Sequence, residues 1–556
     1  MVTRSVNSRP GHATERNLRL VTPATPSAIV TVSLLSACGS GGQSTGTISS
    51  NPVGAMPPGY TPPASVYVAP AVPDPNAFVL QTAFVEPYWV QALANNDFAA
   101  LPAFYQSYEN VVEFAFPTVQ PDYYTGDDAV GWTPASDAVQ AAFRTVFAEL
   151  AQIVNVRFVE TTDIADFNVI AISQNDQQNQ GLAGYAYFPN ASFFIGADIL
   201  LSNVADAPAI NSGLSNSDYE LVLHELGHAL GLKHPFDADG GSTTTLSATE
   251  DTSAWTVMTY TLQPGAFDGA FRAFDLMAFA EIFGVREAYR AGDDSYSFSA
   301  LSGSFVIDGA GQDTISAAGQ STSAYIDLRS GMHSHLGSKS TLISAPFQLT
   351  ISAGSFIENA IGGSGNDLTI GNDLANSLYG GQGSDRIFGG EGADVISGGA
   401  GDDVIDLSEV VAARDVVTFE PISTANGQDT IYAFAQGVSG DAINFAPMLG
   451  ANLLDVVAQS FVPLADISGA IVRLVGQGLS TATALDAALS TEGLFENLTL
   501  SEGATTLVLS ADTQATGQDQ HLFHVRNVAD DLVVQKLAVF SGNYLDMDSW
   551  HAHNFV

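Results

Sequence analysis

Apolar residues follow two different spacings between residues 76 and 290. Residues 86–108 and 136–153 carry an apolar side chain at every third or fourth position, which predicts helices. A further helix is predicted over 221–230, opened by the capping-box pattern of residues 217–220. Short runs rich in β-branched and aromatic residues predict strands between these helices. These runs are 111–116, 156–159, 168–172 and 184–188.

A nine-residue repeat replaces these spacings from residue 362 onward. Its units begin at residues 362, 371, 380, 389 and 398. The sixth positions are Asp367, Asn376, Asp385, Asp394 and Asp403. The eighth positions, which we expect to point inward and to stack from turn to turn, are Thr369, Leu378, Ile387, Ile396 and Ile405. Similar sequences at 308–315, 327–328 and 426–431 predict that this architecture begins near residue 300 and extends beyond the five units.

The last hundred residues, 451–556, carry mixed patterns. Helical spacing predicts helices at 453–461 and 481–489, and apolar runs predict strands at 505–509 and around Phe540. Six histidines beyond residue 300 are interpreted as solvated surface residues. They are His333, His335, His521, His524, His551 and His553.

Composition narrows the class of protein. The chain has 556 residues, a length that predicts two to four domains. Its 17 Lys+Arg against 59 Asp+Glu give a formal net charge of −42, which phosphate backbones would repel, so we expect no nucleic-acid partner. A hydrophobic fraction of 46% excludes a disordered acidic tail. A single cysteine excludes an internal disulfide framework and any zinc or iron–sulfur site built from cysteines.

Residues 1–38 have the composition of an export leader. Residues 1–19 hold four arginines and one acid, and the apolar run that follows at 28–35 is too short to span a bilayer. Cys38 ends a Leu-Ser-Ala-Cys sequence that resembles the lipobox of bacterial lipoproteins, which makes it a candidate lipidation site. The alternative is an ordinary secretory leader with an incidental cysteine. Residues 39–75 are rich in Gly, Ser and Pro and are expected to form an extended linker.

The predicted helix over 221–230 carries the strongest chemical signal. His224 and His228 lie four residues apart, so both imidazoles project from one helical face and can meet one metal ion. Glu225 can reach a metal-bound water rather than the metal. Gly231 can adopt the left-handed conformation that ends a helix, so that His234 approaches the same ion from a loop. Three nitrogen ligands leave one position open, which is the arrangement of catalytic zinc.

The aspartates of the nine-residue repeat predict a second kind of metal site. Glycine turns expose backbone carbonyls and the sixth positions add carboxylates, a set of hard oxygen ligands that suits Ca²⁺. The candidate calcium ligands are Asp367, Asp385, Asp394 and Asp403. The second unit lacks the paired glycines and carries Asn376, so calcium is less expected there. Without calcium the carboxylates repel one another, and we expect the segment to order only when calcium binds.

These motifs resemble those of the serralysins, the metzincin zinc metalloproteases that carry RTX calcium-binding repeats. The resemblance covers roughly residues 110–450. It implies that Met258 packs beneath the zinc, that Tyr260 is an extra ligand or stabilises the oxyanion, and that a helix over 274–284 closes the catalytic domain. Two residues depart mildly from the resemblance, since Thr256 and Thr259 stand where serines or smaller residues are expected.

The expected fold is therefore an α+β, metzincin-like catalytic domain followed by an all-β parallel β-roll. The expected segments are a leader (1–38), a linker (39–75), a zinc protease domain (76–290), an RTX roll (291–450) and a C-terminal region (451–556).

The expected activity is zinc-dependent hydrolysis of peptide bonds in proteins, outside the cell and by a monomer. Glu225 would be the general base, and an extended substrate would add to strand 184–188 if that strand lies at a sheet edge. The alternatives are a non-catalytic RTX surface protein or adhesin, and a carbohydrate-active or lipolytic RTX protein. No Gly-x-Ser-x-Gly sequence accompanies the repeats to support the carbohydrate-active or lipolytic alternative.

Two features of the sequence point to different export routes. The end of the chain, residues 554–556, resembles the uncleaved signal of type I secretion. The leader of residues 1–38, with Cys38, instead points to a lipid anchor at the cell surface.

Overall fold

The computed structural model of the chain describes residues 3–6, 87–95, 97–164, 168–177, 183–189, 197–203, 216–238, 242–263, 269–420, 426–436, 439–444, 454–457, 470–475, 480–489, 500, 505–511, 519–528 and 531–541. Cys38, the linker 39–75, His551, His553 and the terminal residues 554–556 lie outside the described residues, so the expectations about them stay predictions.

Helices lie mainly in the first half of the described chain. They are α1 (Tyr88–Leu93), α2 (Leu101–Ser107), α3 (Asp137–Ile153), α4 (Asn216–Ala229), α5 (Ala273–Phe283) and α6 (Ala482–Leu489). The prediction over 136–153 is confirmed by α3, whose N-cap Ser136 accepts a hydrogen bond from the Val139 amide. The capping-box prediction at 217–220 is wrong, because α4 already includes these residues.

The helix predicted over 86–108 is broken in two. Helices α1 and α2 are separated by Ala94 and by a 3₁₀ turn at Phe98–Ala100. Ala94 is extended and forms a β-bridge with Leu232, so a tertiary contact interrupts the helix where the apolar spacing continues. Trp89, Leu93 and Phe104 are buried in the first hydrophobic core, which makes this segment part of the folded body.

One mixed sheet accompanies these helices. Its strands are β1 (Thr3–Val6), β2 (Val111–Ala115), β3 (Thr133–Pro134), β4 (Arg157–Glu160), β5 (Val169–Asn175), β6 (Gly184–Tyr187) and β7 (Ile199–Ser202). The order is β1-β6-β7-β5-β2-β4, with β3 antiparallel to β5. Strand β6 runs antiparallel to β7 and pairs on its other side, in parallel, with β1. The four runs predicted as strands are confirmed by β2, β4, β5 and β6.

The remaining strands form two sheets that face each other. They are β8 (Ser295–Ser297), β9 (Ser304–Val306), β10 (Thr314–Ser316), β11 (Ala324–Asp327), β12 (His333–Leu336), β13 (Gln348–Ile351), β14 (Asn359–Ile361), β15 (Leu368–Ile370), β16 (Ser377–Gln382), β17 (Arg386–Phe388), β18 (Val395–Ala400), β19 (Val404–Asp406), β20 (Val416–Thr418), β21 (Asp429–Tyr432), β22 (Ala442–Asn444), β23 (Leu454–Val457), β24 (Ala470–Val475), β25 (Thr505–Ala511), β26 (Gln520–Val528) and β27 (Asp531–Ser541). One sheet has the order β22-β20-β18-β16-β14-β10-β8, and the other includes the run β21-β19-β17-β15-β11.

Each nine-residue unit crosses from one of these sheets to the other. Strand β16 therefore pairs in parallel with β18, and β17 pairs with β19, at the same register in each turn. The eighth positions of the repeat are buried, as predicted, because alternate side chains of a strand point to opposite faces. Strand β8 pairs in parallel with β10 and β21 pairs in parallel with β19, so the roll begins near residue 300, as predicted, and continues past the five units.

Two predictions about the chain beyond residue 300 are wrong. Residues 454–457, predicted as helix, form strand β23. His333, His521 and His524 are buried rather than solvated, and each lies on a strand that is paired on both sides, whereas His335 is partly buried. The helix predicted at 481–489 and the strands predicted at 505–509 and around Phe540 are confirmed by α6, β25 and β27.

The two halves of the fold share an interface beside the loop that follows α4. Ile307 and Ile343 belong to the roll by sequence but are buried in the first hydrophobic core. Glu250 is fully buried and accepts hydrogen bonds from the Tyr88 hydroxyl (2.8 Å) and the Ser344 hydroxyl (2.7 Å). Across the described ranges, no helix has the length and apolar character needed to cross a bilayer.

Candidate metal centre

The end of α4 positions the three predicted histidines. His224 and His228 lie one turn apart on the helix, which ends at Ala229. Gly231 follows with φ 114°, and a Cβ at this position would overlap the side chain of Leu101, so only glycine fits. The chain then turns back, and the buried Lys233 donates a hydrogen bond from Nζ to the Asp237 carbonyl (2.6 Å). This contact holds the loop that carries His234.

The Nε2 atoms of the three histidines converge. His234 Nε2 lies 3.2 Å from that of His224 and 3.1 Å from that of His228. The Nδ1 atom of His224 is hydrogen-bonded to the Val257 carbonyl oxygen (2.8 Å), and that of His228 is hydrogen-bonded to the Leu232 carbonyl oxygen (2.7 Å). Since a carbonyl only accepts, these Nδ1 atoms carry the protons and the Nε2 atoms present lone pairs.

Converging lone pairs repel one another unless a cation lies among them. Zinc with nitrogen ligands at about 2.0–2.1 Å in a tetrahedron places them roughly 3.3 Å apart, close to the separations observed. Burial lowers the pKa of His224 to about 4 and that of His234 to about 3, so both rings are neutral near pH 7, as ligands must be. The three histidines therefore fit a zinc ion with one open position.

Glu225 lies beside these ligands and is fully buried. Neither of its carboxylate oxygens has a hydrogen-bond partner among the described residues, and burial raises its pKa well above the ordinary value. A Cβ added to Gly184 would lie 3.1 Å from Glu225 Oε1, so glycine in β6 lets the strand pass close to the carboxylate. An unpartnered buried carboxylate is costly, and such costs are typical of functional sites.

Met258 and Tyr260 reach the centre from a turn after residue 250. Met258 is fully buried, and its Sδ occupies the space that a Cβ on Gly227 would need. The methionine therefore packs against the helix between the two histidine ligands. The Tyr260 hydroxyl lies 3.0 Å from His234 Nε2, and its ring is half exposed and stacked against His224 at 5.8 Å.

The aspartates of the repeat form a ladder along the roll. The Asp367 amide donates to Asp385 Oδ1 (2.7 Å), and the Asp385 amide donates to Asp403 Oδ1 (2.8 Å). Asp394 accepts in the same way from the Asn376 amide (2.8 Å). The second carboxylate oxygens of Asp385, Asp394 and Asp403 are buried without a hydrogen-bond partner among the described residues. Unsatisfied hard oxygens in register from turn to turn fit calcium.

Comparisons with known proteins relate the chain to a repeat family and to a group of proteases. Residues 370–405 match a family model described as the RTX calcium-binding nonapeptide repeat (4 copies). The chain is 33% identical over 273 residues to a serralysin of Photorhabdus laumondii subsp. laumondii, an alignment that covers 44% of this chain and 55% of that protein. It is similar to the serralysins.

Two further relatives have comparable similarity. A serralysin of Proteus mirabilis is 31% identical over 267 residues, covering 41% of this chain and 52% of the relative. A metallopeptidase AprA of Pseudomonas marginalis is 30% identical over 258 residues, covering 41% and 53%. The chain thus spans about half the length of the curated relatives it matches.

Two residues of the site were not predicted from the sequence to be functional. Asp275, at the start of α5, accepts hydrogen bonds from the Thr256 hydroxyl (2.6 Å) and the Val257 amide (2.9 Å). It thereby orients the carbonyl that holds His224, and an acid opening an otherwise apolar helix was its only sequence signal. Phe236 stacks on His234 with ring centroids 5.0 Å apart, and nothing in the linear sequence distinguishes it from an ordinary loop residue.

A separate cluster of three aspartates lies at the start of the roll. Carboxylate oxygens of Asp294, Asp308 and Asp313 lie within 4.8 Å of one another, and Tyr296 donates a hydrogen bond to Asp308. One oxygen each of Asp308 and Asp313 is buried without a hydrogen-bond partner among the described residues. The sequence pointed to 308–315 as an echo of the repeat but missed the contribution of Asp294, which comes from the preceding turn.

Proposed function

We propose that this chain is a zinc-dependent endopeptidase that hydrolyses peptide bonds in proteins, with a roll stabilised by calcium. The observation that carries the proposal is the convergence of three histidine Nε2 atoms beside Glu225, whose carboxylate has no hydrogen-bond partner in the described part of the chain. The similarity to serralysins supports it. We further propose a metzincin-like α+β catalytic domain over 76–290 and the RTX roll over 291–450.

The proposed roles of the residues follow from their positions. His224, His228 and His234 would hold zinc, which supplies Lewis acidity and lowers the pKa of its water from ~15.7 to about 7. Glu225 accepts the proton of the attacking water and returns it to the leaving amine. The Tyr260 hydroxyl donates a hydrogen bond to the scissile carbonyl oxygen as negative charge develops on it. Met258 supports the histidines from below.

Strand β6 is the proposed docking edge for an extended substrate. It passes next to Glu225 through Gly184, and among the described residues the four-residue β1 alone lies beyond it in the sheet. A peptide that adds to β6 would gain backbone hydrogen bonds and place its carbonyl near the histidines. Because β1 already pairs with this edge, from Thr3 opposite Gly184 to Val6 opposite Tyr187, the peptide would have to take the place of β1.

The deciding experiment is casein hydrolysis by the calcium-loaded full chain and its Glu225→Gln variant, with zinc content measured for both. We expect E225Q to keep its zinc and to lose about 10²- to 10⁴-fold in kcat, the usual contribution of a general base. Glu149→Gln, an exposed change on α3, is the matched control and should leave hydrolysis unchanged. A zinc-loaded, folded wild-type chain that cleaves no protein would favour a non-catalytic surface protein.

We also propose that the chain acts outside the cell as a monomer, retained by a lipid on Cys38 or exported through its C-terminal segment. Cell fractionation of wild type and Cys38→Ser separates the two routes. Loss of surface retention in the variant supports the lipid anchor. An unchanged distribution, with export abolished by deletion of the last residues, supports type I secretion.

A further inference from the structure

Three aromatic rings form a cluster on one side of the metal centre. Phe236 is parallel to His234, with ring centroids 5.0 Å apart and an interplanar angle of 6°. Tyr260 lies 4.8 Å from His234 and 5.0 Å from Phe236, measured between the same centroids. Phe236 thus contacts both a proposed ligand and the proposed oxyanion donor.

Phe236 is held out toward solvent by a fixed loop. Pro235 precedes it and accepts a hydrogen bond from the Leu246 amide (2.9 Å), while Lys233 holds the Asp237 carbonyl on the other side. The side chain of Phe236 is nevertheless 42% exposed and that of Tyr260 is 41% exposed, although His234 between them is buried. A hydrogen-bonded loop that presents an apolar ring beside a reaction centre is typical of a binding surface.

We propose that Phe236 is a specificity-determining residue that selects peptides with an aromatic or large aliphatic side chain next to the scissile bond. The inference rests on the proposed peptidase function and deepens it. A substrate carbonyl placed at the histidines brings its flanking side chains within reach of the exposed faces of Phe236 and Tyr260. An apolar side chain there covers both rings, whereas a small or charged one leaves them in water.

The test uses the zinc- and calcium-loaded chain and two peptide substrates that differ only by Phe or Ala next to the scissile bond. The measured quantity is the ratio of their kcat/KM values in wild type, Phe236→Ala and Phe236→Tyr. An aromatic contact and its buried area predict a ratio of about tenfold in wild type that falls to about one in F236A, mainly through KM. F236Y keeps the ring and should keep most of the ratio.

Phe347→Ala is the matched control, because Phe347 is 41% exposed and lies on the roll, away from the histidines. It should leave the ratio unchanged. A second readout avoids turnover altogether, since calorimetry on the zinc-loaded Glu225→Gln chain measures binding of the two peptides directly. Adding F236A to that variant should remove the preference for the Phe peptide.

The outcomes separate this inference from the function on which it rests. A wild-type chain that binds zinc and cleaves neither peptide overturns the proposed peptidase function. A wild-type chain that cleaves both, with a ratio unaffected by F236A, overturns the role of Phe236 and leaves the peptidase function standing. Equal loss on both peptides in F236A, with zinc retained, also overturns it, because Phe236 would then position Tyr260 without selecting substrate.

Discussion

Single residues in the metal centre are constrained by how closely other groups approach them. Gly227 lies on α4 between the two helical ligands, and Met258 fills the space that any side chain there would need. Tyr260 is constrained differently, since its ring is half exposed and its hydroxyl lies 3.0 Å from His234 Nε2. Metal binding should therefore be sensitive to a side chain added at Gly227. Catalysis should be sensitive to removal of the hydroxyl oxygen of Tyr260.

Gly227→Ala should weaken zinc binding about tenfold while leaving the melting temperature nearly unchanged. Alanine favours the helix by about 1 kcal/mol, which offsets the displacement of the flexible Met258 side chain, but the displaced methionine no longer supports the histidines. Chelator competition measures the zinc affinity. Gly292→Ala, where an added Cβ meets nothing, is the control. Undiminished zinc affinity in G227A would contradict the supporting role of Met258.

Tyr260→Phe should lower kcat by about 10²- to 10³-fold with little change in KM. The reason is that its hydrogen bond would form only as charge develops on the scissile carbonyl. Steady-state kinetics on the calcium- and zinc-loaded chain measure both constants. Tyr379→Phe removes a hydroxyl from a similarly exposed tyrosine on the roll and should have no effect. If Y260F raises KM alone, the hydroxyl contributes to substrate binding and not to the transition state.

At the scale of elements, the roll repeats one arrangement from turn to turn. The sixth-position residues Asp385, Asp394 and Asp403 each accept a hydrogen bond from a backbone amide one turn earlier. Asn376 also occupies a sixth position, but its side-chain amide makes the contact in the opposite direction, by donating to the Glu358 carbonyl (3.1 Å). A neutral side chain can therefore keep contact with the neighbouring turn, and the negative charge of the aspartates fits calcium binding.

Asp394→Asn should shift stability in opposite directions with and without calcium. Burial raises the pKa of Asp394 to about 8, so in a chelator at pH 8 the amide removes a costly buried charge and raises Tm by a few degrees. With calcium the variant loses a ligand, and its calcium-induced gain in Tm should shrink. Calorimetry in both conditions measures this. Asp402→Asn is the exposed control, and a fall in Tm of D394N in chelator would refute the argument.

At the scale of the whole molecule, the acidic roll and the metal centre are packed against each other. Glu250 lies on the loop between His234 and Met258 and accepts hydrogen bonds from Tyr88 and from Ser344 of the roll. Ile307 and Ile343 complete the core of the first half. Order in the roll is thereby linked to the loop that carries the site.

The calcium-free chain should lose stability as pH rises from 5 to 8. Burial and neighbouring carboxylates raise the pKa of Asp385 and Asp415 to about 7 and that of Asp403 to about 6, against about 3.9 when unfolded. The folded state then binds more protons than the unfolded state over this range, so the free energy of unfolding falls with pH. Thermal unfolding in the presence of a chelator measures this pH dependence, and added calcium should suppress it. A Tm that rises between pH 5 and 8 in chelator would contradict the prediction.

The sequence by itself determined the features that depend on local spacing. Four-residue spacing places His224 and His228 on one helical face, and nine-residue spacing sets the inward residues of the roll, because helix and strand periods are properties of the backbone. Gly231 likewise marks the end of α4. These motifs identify the two metal chemistries before any fold is known.

Only the tertiary structure decided the contacts between distant segments. The break between α1 and α2 comes from the bridge between Ala94 and Leu232, and the misread segment 454–457 is a strand because β24 pairs with it. Asp275 and Phe236 act through neighbours brought close by the fold, and no periodicity marks them. Packing against residues far along the chain outweighs weak local propensities, so such positions become visible only when the chain is folded.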